Sequence, residues 1–415
     1  MTLLQAYLDS AKRKSVHRLP LSALSPHLFR QATNSVKYST DNNDLLEFIG
    51  DRAINLACAL LVDKEKVCPD QQIFVGRKIS NNDTLARLAY WLELDKYAAL
   101  SPEDAYAIQG FSPRRNRDVP PKVLADLFEA FVGAYCLECG WVALLAWLEP
   151  FFAPLVQIAT EDFLQCHRDT CHAPFYVSNW WRHRDGASIS PKIYQALLQF
   201  LDGQQANFAS MGRGAVEAIP LSTKFIFSTA GELVNDCDRV EIAHHLISQW
   251  ICNIYVSIFP QNRGATAGAA HLATNITHLI TSDVSLAFIA SFFSLSSYFD
   301  VEDADFNSTR PVRWALPLHP ATQAREAAYR TKLSLAFQAA VGWFYFRDPD
   351  AAQEWGTRFF TPIVIKSYHL LVQNPCYQPV LPRPKETRQP MRTMTNLQRR
   401  PVHLEQQRPT PWCYS

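Results

Sequence analysis

Apolar residues recur every three or four positions over long stretches of this chain, which is the period of an amphipathic α-helix. The pattern is regular in residues 39–156 and again in residues 224–372, where short polar loops separate the helical segments. Residues 1–38 form a basic lead-in, and residues 157–223 form an irregular linker or insertion. Residues 373–415 are rich in Pro and Arg, and a segment with so few apolar residues is expected to be disordered. The sequence therefore predicts an all-α protein with two helical domains.

The two helical stretches share residues in the same order, which predicts a tandem duplication. The alternative is chance likeness between amphipathic helices. Early matches are Asp51 with Asp238, at an offset of 187 (238 − 51), and Leu85 with Leu286, at an offset of 201 (286 − 85). Five later matches share a single offset of 208 (355 − 147): Trp147, Phe151, Phe152, Pro154 and Val156 correspond to Trp355, Phe359, Phe360, Pro362 and Val364.

Acidic residues interrupt two of the apolar helical patterns. Asp44, Glu47 and Asp51 are spaced three and then four apart, so they share one helical face, and Asp126 and Glu129 share a face of a later helix. An acid among core-like residues is costly unless it is paired or bound to a metal. Mg²⁺ takes such oxygen ligands. The two segments together predict a shared Mg²⁺ or Mn²⁺ site, whereas each segment alone is also compatible with a solvated acidic stripe.

Several of these segments resemble motifs of one enzyme family. The run D-L-L-E-F-I-G-D at residues 44–51 resembles the signature helix of the ribonuclease III family, and D-L-F-E-A at 126–130 is similar to its later helix. N-D-T-L-A at 82–86 fits the family's middle helix, and P-K at 121–122 is similar to the Dicer-type branch. The resemblance implies an all-α endonuclease domain that cleaves double-stranded RNA with Mg²⁺ or Mn²⁺.

The resemblance also implies roles for individual residues. Glu47, Asp51, Asp126 and Glu129 would be the metal ligands, and Lys122 would contact the scissile phosphate. Asp44 would be the outer acid of the signature, where the family usually has Glu. Because metal-activated water is the nucleophile in such a reaction, no Ser, His or Cys nucleophile is needed.

The second stretch lacks most of these acids. In the sequence alignment Val234, Asp238, Leu335 and Gln338 stand opposite Glu47, Asp51, Asp126 and Glu129. We therefore expect the second domain to be metal-free and inactive. Family members work as paired domains, so the tandem copy implies an intramolecular pseudo-dimer that nicks one strand of a duplex. A homodimer through the first domain, which would cut both strands, is the alternative.

The net charge and the cysteine spacing bear on the expected binding partners and on the cellular compartment. The net charge of +1 gives no global attraction to nucleic acid, so RNA contact requires a local patch. Arg114, Arg115, Arg117 and Lys122 offer such a patch, unless they belong to a solvated charged loop. The ten cysteines show no disulfide spacing, which favours an intracellular compartment, the cytoplasm or the nucleus, and leaves the mitochondrion as an open alternative.

Three further expectations complete the sequence-based picture. The cluster Cys166, His167, Cys171 and His172 leaves a zinc site open, although its spacing matches no standard finger. We find no signal peptide and no apolar run that predicts a membrane span. The competing functions are a non-catalytic RNA-binding or scaffold protein on the same fold and a structural helical protein.

Overall fold

The computed structural model describes residues 3–10, 19–36, 39, 41–65, 69–112, 119–166, 189–220, 223–227, 233, 236–259, 266–298 and 320–374. Within these ranges the chain is all-α, as predicted, and apart from two isolated bridges, Asn34 with Ala99 and Phe227 with Leu233, it forms no strand. The described residues all lie within one compact unit, Met1–Pro379.

In the described residues up to 166, seven α-helices form the first part of this unit. They are α1 (Leu3–Ser10), α2 (Pro26–Ala32), α3 (Asp44–Lys64), α4 (Pro69–Ile79), α5 (Asn82–Trp91), α6 (Pro102–Gly110) and α7 (Lys122–Cys166). Helices α3 and α5 pack against the long helix α7. We call α3–α7 the first block. Its core contains the buried side chains of Leu46, Ile49, Leu85, Phe128 and Phe131.

Seven more helices follow. They are α8 (Pro191–Gly203), α9 (Gln205–Glu217), α10 (Cys237–Ile258), α11 (Thr266–Thr281), α12 (Asp283–Ser291), α13 (Pro320–Arg347) and α14 (Pro349–Val372). Helix α10 packs against α13 and α14, and α12 packs against α13. We call α10–α14 the second block. Helices α8 and α9, which lie within the predicted linker, pack against α12, α13 and α14.

Helix boundaries in the two blocks follow similar local chemistry. The side chain of Asn81 accepts a hydrogen bond from the backbone N–H of Thr84 at the start of α5, and Ser282 does the same for Ser285 at the start of α12. The offset between these two caps is 201 (282 − 81). Gly140 breaks the direction of α7 with φ +81°, and Asp348 separates α13 from α14 at an offset of 208 (348 − 140).

Helix α7 is long and apolar enough, by length and composition alone, to cross a membrane. Its first half is instead the centre of the first block, where Leu124, Phe128 and Phe131 are fully buried against other helices. Its direction changes at Gly140, and its second half contains Pro150 and Pro154. These features are those of the core helix of a folded domain.

The two blocks contact each other along a seam. Helix α3 packs against α10 and α11, and α4 also touches α10. One small cavity on the seam has walls from both blocks, including Asn55 and Ala59 of α3 and Glu241 and His245 of α10. Each block therefore buries part of its surface against the other.

Candidate active site

The close crossing of α3 and α7 positions the acidic residues. A Cβ atom at Gly50 would overlap the backbone carbonyl of Glu129, and one at Gly133 would overlap the carbonyl of Leu46. Because both contacts involve backbone atoms, side chains larger than hydrogen do not fit there. The crossing thus brings the turn that carries Glu47 beside the turn that carries Glu129.

Three of the predicted ligands meet at this crossing. One carboxylate oxygen from each of Glu47, Asp126 and Glu129 lies within 4.8 Å of the others. Glu129 is buried, with 6% of its surface exposed, whereas Glu47 and Asp126 are partly exposed. Throughout the described ranges, no other group of three His, Cys, Asp or Glu side chains comes as close together.

Asp51, the fourth predicted ligand, borders this cluster. Its charge raises the pKa of Glu129, so the two carboxylates are near neighbours. Its Oδ1 accepts a hydrogen bond from Asn55 Nδ2 at 2.9 Å, and its Oδ2 accepts one from Arg52 Nη1 at 3.1 Å. Sequence reasoning missed Asn55, although its position four residues after Asp51 on the same helix is a usable signal.

Asp44, the outer acid, is held by a neighbour in the preceding loop. The side chain of Asn42, which is buried, donates a hydrogen bond from Nδ2 to Asp44 Oδ2 at 2.9 Å. The backbone N–H of Asp44 donates in turn to Asn42 Oδ1 at 3.3 Å. Asp44 also helps to raise the pKa of Glu47. Asn42 therefore belongs to the site's supporting structure, and the sequence pattern did not single it out.

Lys122 lies at the exposed edge of the cluster. Its Nζ donates hydrogen bonds to Asp126 Oδ1 and, at 3.5 Å, to Glu47 Oε1. Burial acts to lower its pKa, but the contact with Asp126 and the nearby carboxylates of Glu47 and Glu129 raise the pKa on balance. Lys122 is therefore charged and offsets part of the negative charge of the cluster.

Burial and mutual repulsion raise the pKa values of the buried and partly buried carboxyl groups in the cluster. Burial, followed by the charges of Asp51, Glu47 and Asp126, raises the pKa of Glu129 to about 9. Burial, followed by the charge of Asp126, raises the pKa of Glu47 to about 7. Lys122 opposes both shifts without cancelling them. These oxygen donors suit a hard divalent ion such as Mg²⁺ or Mn²⁺.

Residues 44–140 match the family model described as the ribonuclease III domain. This part of the chain is therefore similar to the ribonuclease III family. The ribonuclease III domain includes the whole acidic cluster and the Gly50–Gly133 crossing. The resemblance expected from the sequence motifs is thereby confirmed.

Bacterial proteins named Ribonuclease 3 are similar to the same part of the chain. The protein of Variovorax paradoxus is 34% identical over 128 residues, which are 30% of this chain and 53% of the relative. The protein of Dechloromonas aromatica is 34% identical over 131 residues, which are 31% of this chain and 55% of the relative. The protein of Verminephrobacter eiseniae is 29% identical over 156 residues, which are 33% of this chain and 63% of the relative. The chain thus spans about half the length of the curated relatives it matches.

Packing in the second block changes the residue pairing expected from the sequence. Helix α3 begins at Asp44 and α10 begins at Cys237, an offset of 193 (237 − 44). A Cβ at Gly133 would overlap the carbonyl of Leu46, whereas one at Gly342 would approach that of Arg239 to 2.5 Å. The offset between these two carbonyls is again 193 (239 − 46).

By this packing the counterpart of Asp51 is His244 (51 + 193) and not Asp238, and the counterpart of Glu47 is Val240. This packing offset differs by six residues from that of the sequence alignment (193 − 187), and Val234, which the alignment placed opposite Glu47, lies outside the described residues. Val240, Leu335 and Gln338 are buried. In the packing-based pairing, Val240, His244, Leu335 and Gln338 stand opposite the four predicted ligands.

Some predicted site residues lie outside the described ranges. Arg114, Arg115 and Arg117 of the basic patch are among them, so their contact with RNA stays a prediction. The same holds for His167, Cys171 and His172 of the zinc expectation, while Cys166 is the last residue of α7.

Proposed function

We propose that the protein is a ribonuclease III-type endoribonuclease, which hydrolyses phosphodiester bonds of double-stranded RNA at one divalent-metal site in the first block. The observation that carries this proposal is the convergence of Glu47, Asp126 and Glu129 within 4.8 Å at a crossing shaped by two glycines. A scaffold protein would gain no stability from this arrangement, since crowded and buried carboxylates without a cation are unfavourable.

In the proposed reaction Glu47, Asp126 and Glu129 would hold the metal, and Asp51 would complete the ligand set. A bound Mg²⁺ or Mn²⁺ lowers the pKa of a coordinated water and offsets charge on the phosphate oxygens. Asn55 and Arg52 orient the Asp51 carboxylate, and Asn42 orients Asp44. These hydrogen bonds keep the acids in place before the substrate binds.

Lys122 has a separate role in the proposed reaction. Its ammonium group lies beside Asp126 and Glu47, and 63% of its side chain is exposed. A cation at the exposed edge of an acidic cluster is well placed to contact the phosphate that approaches that cluster. Lys122 therefore orients the phosphate and reduces its repulsion from the carboxylates.

The proposal includes a tandem pair of domains with one silent member. Its support is the shared order of helices, the caps at Asn81 and Ser282, and the helix breaks at Gly140 and Asp348. The seam between α3 and α10 supports an intramolecular pseudo-dimer. Since Val240 and Leu335 cannot bind a metal, the second block would help to form the paired-domain structure but would not contribute to catalysis. One molecule then nicks one strand.

The substrate and compartment follow from the same proposal. The basic patch of Arg114, Arg115, Arg117 and Lys122 would contact the RNA backbone, because A-form RNA is bound mainly through its shape and phosphates. Five described cysteines are thiols and not disulfides, which supports an intracellular, reducing compartment.

A matched pair of variants tests the proposed activity. Labelled duplex RNA is incubated with Mg²⁺ and with wild type, Glu129→Gln or Glu138→Gln. Glu138 lies on the same helix but is exposed and accepts a hydrogen bond from Ser25. The expected result is cleavage by wild type and Glu138→Gln and none by Glu129→Gln. Absence of cleavage by all three proteins, with RNA binding retained, would favour the scaffold function.

A further inference from the structure

The seam between the blocks contains charged residues that the proposed chemistry does not use. Helices α3 and α10 run antiparallel there. Besides burial, the charges of Asp238 and Arg239 at the start of α10 influence the pKa of Asp63, near the end of α3. Arg52, a few turns earlier in α3, adds to the effect of burial and of His244 in lowering the pKa of His245, further along α10. Residues early in one helix thus face residues late in the other.

Glu241 occupies a central place in this seam. It lines the small cavity between the blocks together with Ala59 of α3 and Arg77 of α4. Burial, opposed by the charge of Arg77 and assisted by that of Asp238, raises the pKa of Glu241 to about 7. The opposite charge that stabilises this carboxylate therefore comes from the other block.

Another copy of the chain would present a different surface at this place. The correspondence between α3 and α10 puts Phe48 at the position of Glu241 (241 − 193) and Leu45 at that of Asp238 (238 − 193). In a pair of two first blocks, Arg77 would therefore face a phenyl ring and not a carboxylate. Arg77 is exposed and Glu241 is partly buried, so a pair of two first blocks would leave the Glu241 carboxylate of the second block without this cation, which is unfavourable.

We propose that Arg77 and Glu241 form a charge pair across the seam that selects the chain's own second block, and not the first block of a second copy, as the partner of the first block. This inference rests on the tandem arrangement in the proposed function. In this proposal the second block covers the surface of the first block to which another first block, with its own active site, would otherwise bind. The protein then stays a monomer with one active site.

Charge exchange across the seam tests this pairing. The full-length variants are Arg77→Glu, Glu241→Arg and the double exchange, with Glu354→Arg, an exposed residue of α14, as the control. Melting temperatures and sedimentation coefficients are measured without RNA and metal, so neither depends on catalysis. Each single reversal is expected to lower the melting temperature by about 2 °C, since it brings like charges together at a place where only Glu241 is partly buried.

The double exchange is expected to recover at least half of that loss and to restore the monomer, while the single reversals self-associate more than wild type. The neutral variants Arg77→Gln and Glu241→Gln replace any reversal that fails to fold, and their combined effect should be smaller than the sum of the separate effects. Additive effects, or single changes no larger than that of Glu354→Arg, would overturn the charge pair and leave the nuclease proposal intact. If the double exchange rescues stability but the wild-type protein never cleaves RNA, the charge pair would stand and the nuclease proposal would fail.

Discussion

Gly50 of α3 lies directly against the backbone carbonyl of Glu129 in α7, with no space between them for a methyl group. This contact joins the helix that carries Glu47 and Asp51 to the helix that carries Asp126 and Glu129. The distance between the two pairs of acids is therefore fixed by backbone packing and not by the flexible side chains. A site that must hold a small ion benefits from such rigid support.

Replacing Gly50 with Ala should separate the two helices. The added methyl group meets backbone atoms that cannot rotate away, so we expect a loss of about 3 kcal/mol in unfolding free energy. Gly76 of α4 is the matched control, because a Cβ there meets nothing within 4 Å. Gly76→Ala should be neutral or stabilising by up to about 1 kcal/mol, since Ala favours helix over Gly.

Urea unfolding monitored by circular dichroism measures both changes. Equal stability of the Gly50→Ala and Gly76→Ala proteins would contradict the close crossing.

The metal-free protein should lose stability as the pH rises. The folded-state pKa of Glu129 is about 9 and its ordinary value is 4.5, so between these values the folded protein holds a proton that the unfolded chain releases. Glu129→Gln removes this penalty. In EDTA the variant should be more stable than wild type by about 2 kcal/mol or more at pH 8 and by little at pH 5.

Added Mg²⁺ should reverse that order at pH 8, because the ion binds the ionised carboxylates of the folded wild type. Parallel pH profiles for wild type and Glu129→Gln in EDTA would show that the carboxylate is not buried among like charges.

Lys122→Gln should change the metal affinity and the cleavage rate in opposite directions. Loss of the ammonium group removes a cation that competes for Asp126 and Glu47, so the divalent ion should bind more tightly. The cleavage rate should nevertheless fall by about tenfold or more, since a phosphate contact is lost. Calorimetric titration with Mn²⁺ and single-turnover cleavage measure the two effects, with Lys96→Gln, a change at an exposed ion pair with Glu93, as the control. A parallel fall in affinity and rate would instead indicate a general disruption of the site.

Substitutions of Asp51 and Asp238 should have very different effects on the cleavage rate. Asp51→Asn should reduce cleavage by at least about a hundredfold, because it removes a charge that the metal site requires. Asp238→Asn should leave cleavage within about twofold of wild type, because Asp238 lines the cavity in the seam and is not part of the acidic cluster. Equal losses from the two changes, measured as initial rates on one RNA duplex, would show that the second block takes part in the chemistry.

Much of the first block could be predicted from the sequence. The three- and four-residue spacing of apolar positions identified the helices, and the glycines in the two acidic motifs are the residues that allow α3 and α7 to cross. The convergence of Glu47, Asp126 and Glu129 follows from these same motifs, because their spacing places each acid on the face turned toward the other helix.

The second block was harder to predict. Little in the sequence of α10 anchors an alignment to α3. Asp238-Arg239 matches Asp51-Arg52 at an offset of 187, whereas the starts of the two helices differ by 193. The start of α10 and the contact of Gly342 with Arg239 support the offset of 193 that the proposed tandem arrangement uses. The supporting role of Asn42 and the pairing of Lys122 with Asp126 also depend on side-chain positions, which helical periodicity does not specify.

Strand-resolved cleavage by a proven monomer tests the central claim most directly. A duplex RNA carries a different fluorophore on each strand, and sedimentation confirms that the protein is monomeric under the reaction conditions. With Mg²⁺, each cleaved duplex should contain one cut strand, and Asp51→Asn should abolish that cut. Paired cuts on both strands of single duplexes, made by the monomer, would contradict an enzyme with one active site in the first block.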